Sequence, residues 1–136
     1  MASFWSSLAR LHEYNVRLLV RVSEEQPYTQ DDLGDIKLVE FPLQDGSVPD
    51  KDQSKAWDDL VTVFFKAEPK KALCVHCTAG LGRSALLVGM SLVNAGLSSE
   101  KTIELLRSKR RGVLNSKQVT YLLDYKGRRR RFCDIL

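Results

Sequence analysis

One stretch, His76-Cys77-Thr78-Ala79-Gly80-Leu81-Gly82-Arg83-Ser84, limits the fold more than any other part of the chain. The apolar run Ala72-Leu73-Cys74-Val75 precedes it and Ala85-Leu86-Leu87-Val88 follows it. The pattern predicts strand, tight loop and helix, with Cys77 at the turn. Backbone N–H groups of such a loop converge, and the helix adds the positive end of its dipole. A cradle of this kind suits a tetrahedral dianion and favours the thiolate form of a cysteine at its base. Gly80 and Gly82 are expected to supply unusual dihedrals and close backbone approach. Arg83 can grip two phosphate oxygens with its planar fork, which a lysine cannot do. The candidate phosphate-binding residues are therefore Thr78, Ala79, Gly80, Leu81, Gly82 and Arg83, with Cys77 as a nucleophile for phosphoryl transfer. Cysteine and arginine at this spacing are a weak signal alone, and a buried structural cysteine is the bland alternative. The histidine before, the serine after, the two glycines and the strand-to-helix flanks sharpen it. The loop is not a nucleotide P-loop, because no Gly-Lys-Ser/Thr closes it.

Attack on phosphorus by a thiolate leaves an oxygen that needs a proton, and a positioned carboxylic acid is the usual source. Asp45 is the best candidate, in Phe41-Pro42-Leu43-Gln44-Asp45-Gly46-Ser47-Val48-Pro49, a Pro- and Gly-bounded loop after the strand-like Ile36–Glu40. Loops at the C-terminal ends of strands are where an open α/β sheet places mobile catalytic groups. Asp45-Gly46 also reads as a plain turn dipeptide. The acid lies upstream of a mid-chain cysteine, which disfavours the low-molecular-weight phosphatases and arsenate reductases, whose loop is near the N-terminus and whose acid is late.

The 136 residues suit one small domain, and 43% apolar with 28% charged residues is ordinary for a soluble globular protein. Three unevenly spread cysteines make no disulfide framework, and no signal-peptide pattern opens the chain, so a reducing cytosolic setting is expected. The longest apolar stretch, around Ser84 to Leu97, is too short to span a bilayer. The net charge of +4 is localised: Lys126, Arg128, Arg129, Arg130 and Arg131 stand within six residues, and without them 16 basic residues face 17 acidic ones. A near-neutral domain with a basic tail argues against a nucleic-acid face on the fold itself. The chain ends Cys133-Asp134-Ile135-Leu136, a Cys-a-a-X box whose leucine points to geranylgeranylation of Cys133. One lipid chain plus a polybasic patch is the two-signal arrangement that lasting membrane attachment needs. Asp134 is an awkward first residue after that cysteine. A solvated charge run or a nuclear-import or RNA-binding patch is the alternative.

Along the rest of the chain, residues from Phe4 to Tyr14 predict a short helix with Phe4, Leu8 and Leu11 on one face. Val16–Val22 predicts a strand, in which Arg21 either supports the site or makes an edge salt bridge. Ser23 to Asp35 reads as a polar loop. Ala56, Trp57, Leu60, Val61, Phe64 and Phe65 mark a core helix ending near Pro69, with Trp57 as core rather than substrate platform. Cys74, three residues before Cys77 on a strand, points to the opposite face as a buried structural thiol. Further helices are expected at about 84–95, 99–109 and 116–126. Gln118 either orients the water that hydrolyses a phosphocysteine or is the N3 partner of a cap at Asn115; both readings stay open.

On these residues the chain resembles the phosphatases of regenerating liver (the PRL family, type IVA protein tyrosine phosphatases). The similarity runs through Val20-Arg21-Val22, the Phe-Pro-x-x-Asp-Gly loop, Trp57 before Glu68-Pro69 and the His-Cys-x-Ala-Gly-Leu-Gly-Arg loop. It continues through Lys109-Arg110-Arg111-Gly112, Asn115-Ser116-Lys117-Gln118, the basic tail and the prenyl box. The resemblance implies a single small α/β domain over residues 1–125, a central, mostly parallel sheet flanked by helices, followed by a polybasic tail with a prenylation box over 126–136. It makes Cys77 the nucleophile, Arg83 the phosphate clamp and Asp45 the acid. It also implies lipidation with methylation at Cys133, and residence on the cytoplasmic face of plasma or endosomal membranes, or in cytoplasm or nucleus when unprenylated.

Three departures stand out. The chain begins where that family already has an N-terminal strand region behind it, which leaves open a sheet short of one or two strands. The family has a cysteine after Val-Arg-Val that can pair with the nucleophile; Ser23 stands here, so that redox lock is expected to be missing, with Cys74–Cys77 the remaining pairing. The family's loop is followed by alanine, whereas Ser84 can donate to the sulfur as it leaves, which adds Ser84 to the catalytic candidates. The variable loop positions Thr78, Ala79 and Leu81 hold no lysine for additional phosphates, which weighs against polyphosphoinositides. Two function classes follow. One is an enzyme that hydrolyses phosphomonoesters of proteins through a phosphocysteine, without metal or cofactor, in a shallow dual-specificity-like pocket. The other is a membrane-anchored binding module for CNNM-family magnesium transport mediators with the phosphocysteine as its switch. Homo-oligomerisation like that of the family, an anionic membrane surface and no nucleic acid complete the partners so implied.

Overall fold

A computed structural model describes residues 4–23, 28–77 and 82–127, with side chains from residue 8 onward. Three strands, β1 (Val16–Arg21), β2 (Lys37–Glu40) and β3 (Ala72–His76), form a wholly parallel sheet in the order β2-β1-β3. Val20 of the central strand lies opposite Val39 on one side and Val75 on the other. Parallel neighbours need crossovers, and helices supply them: α2 (Gln30–Leu33) between β1 and β2, and α3 (Lys51–Ala67) between β2 and β3. Helix α1 (Phe4–Glu13) precedes the sheet; α4 (Arg83–Asn94), α5 (Ser99–Lys109) and α6 (Ser116–Asp124) follow it.

Alternation along β1 divides the core between the two sheet faces. Leu18, Val20 and Val22 join Trp57, Leu86, Leu87, Met90 and Leu122 on the face covered by α3, α4 and α6. Leu19 joins Tyr28, Leu33 and Ile36 on the other face, closed by Leu8 and Leu11 of α1. Val16 belongs to that second face although it is an even number of residues from Leu18, because a bulge between them shifts the register. Cys74 packs with the second cluster and Cys77 with the first, as strand alternation predicts.

The inward stripe of α3 is Trp57, Leu60, Val61 and Phe64. The Trp57 indole N–H donates to Leu87 O at 2.8 Å and to Ser91 Oγ at 2.9 Å, which fixes the residue as core. Ala56 and Phe65, expected in the core, are exposed. They sit about 90° off the stripe at 100° per residue, and Phe65 lies edge-on against Phe64 instead. The Ser23–Asp35 segment is likewise more than a polar loop: it holds α2, and Tyr28 and Leu33 are buried. The Asp32 carboxylate accepts from the Thr29 N–H at 2.8 Å, so a capping interaction stabilises a helix too short to show a period. Among the described residues no helix is long and apolar enough to cross a membrane.

Candidate active site

Strand β3 delivers Cys77. The Val22 N–H donates to His76 O at 3.0 Å, carrying the β1–β3 pairing to the residue before Cys77. Cys77 is buried, and its Sγ lies 3.3 Å from Ser84 Oγ in the first turn of α4. Thr78, Ala79, Gly80 and Leu81 lie outside the described residues, as do Arg128, Arg129, Arg130, Arg131 and Cys133.

Gly82 caps α4 at φ −130° and ψ −78°, outside the ordinary helical and extended regions but not left-handed. Space is what requires glycine there: a Cβ would stand 3.0 Å from Gln118 Nε2 and 3.1 Å from Gln118 Oε1. Arg83 follows, its side chain 11% exposed, with Nη1 donating to Leu43 O at 3.0 Å. That bond orients the guanidinium while leaving most of its five donors for an anion. Asp45 comes to the same place, its Oδ1 3.8 Å from Arg83 Nε, with a side chain 92% exposed. A pair this exposed adds little to stability and leaves the carboxyl free to move. Arg83 and Asp45, 38 residues apart in sequence, are thus neighbours.

One residue before Cys77, His76 Nε2 is hydrogen-bonded to the Tyr28 hydroxyl. Burial, with the nearby Arg21 charge, holds the His76 imidazole below its ordinary pKa, against a hydrogen bond to the Cys77 backbone. Burial pushes the Tyr28 phenol up. Arg21 itself is anchored by Glu40, its register partner on β2, and donates to Tyr28 O at 2.9 Å. Arg21 makes a salt bridge, on the central strand rather than an edge, and its bond to Tyr28 O also ties it to the partner of His76.

Gln118 is 1% exposed and is the N3 partner of the Asn115 cap, one of its two readings. The same amide lies against Gly82, next to Arg83. Ser23 is buried just after β1, and neither Cys74 nor Cys77 is in a disulfide bridge. Burial raises the pKa of Cys74. An open cleft of about 380 Å³ reaches Cys77 and Ser84 between Val88 of α4 and Lys109 and Arg110 at the end of α5. Among the described residues no His, Cys, Asp and Glu side chains cluster as metal ligands. Sequence reasoning missed three parts of the candidate site: the Leu43 carbonyl, Tyr28 bonded to His76, and the long-range bond of Asn115 to Gly46 O.

Comparison with known proteins agrees with this geometry. Residues 3–128 match the model of the dual specificity phosphatase catalytic domain. The chain is 39% identical over 129 residues to human protein tyrosine phosphatase type IVA 3, covering 91% of this chain and 73% of that one. It is 34% identical over 125 residues to the Drosophila melanogaster PRL-1 phosphatase, covering 90% and 70%. Among solved structures, a Leishmania major chain solved as a protein tyrosine phosphatase superposes with a TM-score of 0.72 at 31% identity, over 88% of this chain and 78% of that one. Human DUSP28, at 23% identity and a TM-score of 0.68, shares the fold over 86% and 78%.

Proposed function

The chain belongs to the type IVA (PRL) branch of the dual specificity phosphatases and is a protein tyrosine phosphatase, and from that premise we propose how its own residues run the reaction. Cys77 attacks the phosphorus of a phosphorylated protein: an S–P bond forms, the P–O bond to the side chain breaks, and Asp45 gives its proton to the departing oxygen. Arg83 holds two non-bridging oxygens as charge builds on them. Water then attacks the phosphocysteine, Asp45 takes its proton, and the sulfur leaves as a thiolate to which the Ser84 hydroxyl donates. Gln118 would orient that water, a reading supported by its amide lying against Gly82.

One observation carries this reading: Ser84 Oγ lies 3.3 Å from Cys77 Sγ, and Arg83, the residue before Ser84, meets Asp45 at 3.8 Å. The test is rapid-quench phosphate release from an aryl phosphate. Wild type should show a burst followed by steady release, and Cys77→Ser should show neither. Equal release by Cys77→Ser would refute the nucleophile.

The tail gives the enzyme its place. Prenylated Cys133 and the basic residues Arg128 to Arg131 would hold the domain on an anionic membrane surface, a reading supported by the Cys-a-a-X ending and the charge run. Docking on a CNNM-type magnesium transport mediator, blocked by the phosphocysteine, is supported by the family resemblance and would make the same Cys77 a switch.

A further inference from the structure

Helix α6 opens with a capping box turned toward the acid loop. Asn115 Oδ1 accepts from the Gln118 N–H at 2.8 Å, and Gln118 Oε1 accepts from the Asn115 N–H at 2.9 Å. The box uses only the two carbonyl oxygens, so both side-chain NH₂ groups remain as donors. Each reaches the segment that carries Asp45: Asn115 Nδ2 donates to Gly46 O at 3.2 Å, and Gln118 Nε2 to Ser47 O at 3.4 Å. These are the two carbonyls that follow Asp45 in the chain.

That segment is closed on itself. The Ser47 N–H and hydroxyl both donate to Gln44 O, at 3.1 and 2.6 Å, across Gly46 at φ +73°. Residues 44–47 therefore form one turn, and the 92% exposed Asp45 carboxylate goes where that turn is held. Accepting is enough for capping, so Asp, Ser or Thr would start α6 as well as Asn. Only the asparagine side chain adds an NH₂ group long enough to reach the turn.

We propose that Asn115 is a positioning residue for the general acid: its Nδ2 fastens the 44–47 turn to α6 so that Asp45 stands within reach of the leaving oxygen. The inference rests on the assignment of Asp45 as the acid. It also means that the acid turn and the Gln118 amide beside Gly82 are set by one capping box.

Asn115→Asp isolates the tether. It keeps the size and the capping oxygen but turns the donor into an acceptor facing Gly46 O. The measurement is kcat/KM with 4-nitrophenyl phosphate, a good leaving group, and phenyl phosphate, a poor one that needs the acid. General-acid help is typically worth 10²–10⁴-fold, so a loosened acid should cost about tenfold or more on phenyl phosphate and under about threefold on the nitrophenyl ester. In an Asp45→Asn background the same change should cost nothing further on either substrate. Amide exchange at 45–47 should quicken while that of α4 stays unchanged. Equal losses on both esters, further loss in the Asp45→Asn background, or unchanged exchange at 45–47 would overturn the proposal. Absence of Cys77-dependent release in the wild type overturns the phosphatase mechanism itself, and is seen before any variant is compared.

Discussion

Replacing Ser84 by alanine removes a hydroxyl 3.3 Å from Cys77 Sγ and changes little else, because the site is 6% exposed and Ala85 already stands in the same turn. In the second chemical step the sulfur departs with a full negative charge and, in the variant, without the Ser84 donor. A hydrogen bond to a charged group is worth about 1.5–3 kcal/mol. At 1.36 kcal/mol per factor of ten, that is roughly 10- to 150-fold on phosphocysteine breakdown. Formation of the phosphocysteine loses no more, since there the same hydroxyl also stabilises the attacking thiolate and its loss raises the starting state. Rapid-quench kinetics separates the steps: the burst should persist at near-stoichiometric amplitude while the steady phase falls by the factor above. Intact-mass analysis should then find phosphorylated enzyme accumulating at Cys77. A steady rate within twofold of wild type, with no phosphoenzyme, would refute the role of Ser84 and the reasoning from its distance.

Gly82→Ala should lower activity with little effect on folding: φ is not left-handed, but the new Cβ stands 3.0 Å from a Gln118 amide held by Asn115 N and Ser47 O. We expect a fall of about tenfold in kcat, with urea unfolding moved by no more than about 1 kcal/mol, the usual worth of a cap residue; unchanged kcat would show that the amide yields freely. His76 makes stability depend on pH, because its folded pKa lies below the ordinary 6.5 and the unfolded chain therefore binds the extra proton. Stability present above the unfolded value is lost as pH falls from there toward the folded pKa. The urea midpoint of the wild type should drop between pH 7.5 and 5.5 more steeply than that of His76→Gln, and parallel curves would remove His76 as the cause.

The parts of the site that could be read from sequence are those held together by short spacing. Cys77, Arg83 and Ser84 stand within eight residues of sequence, between the end of β3 and the first turn of α4, so their proximity was legible from spacing alone. Trp57 was legible because α3 is long enough for its stripe to repeat, whereas α2 is one turn long and shows no period, so Tyr28 and Leu33 passed for loop residues. Asp45 was legible as an acid on a loop, but its distance from Arg83 is a tertiary fact. Gln118 shows most clearly where the sequence stops. Cap and site residue looked like rival readings because a one-dimensional pattern assigns a side chain one partner. An amide has two ends, and in the fold the oxygen serves the helix while the nitrogen serves the loop 71 residues away. Asn115 divides itself the same way, with its long-range bond spanning 69 residues. A capping box at the mouth of a site is thus satisfied locally by its acceptors alone. The choice of amides over the carboxylates and hydroxyls that cap equally well is the trace of a second duty, and that duty can be separated from the first by exchanging one nitrogen for oxygen.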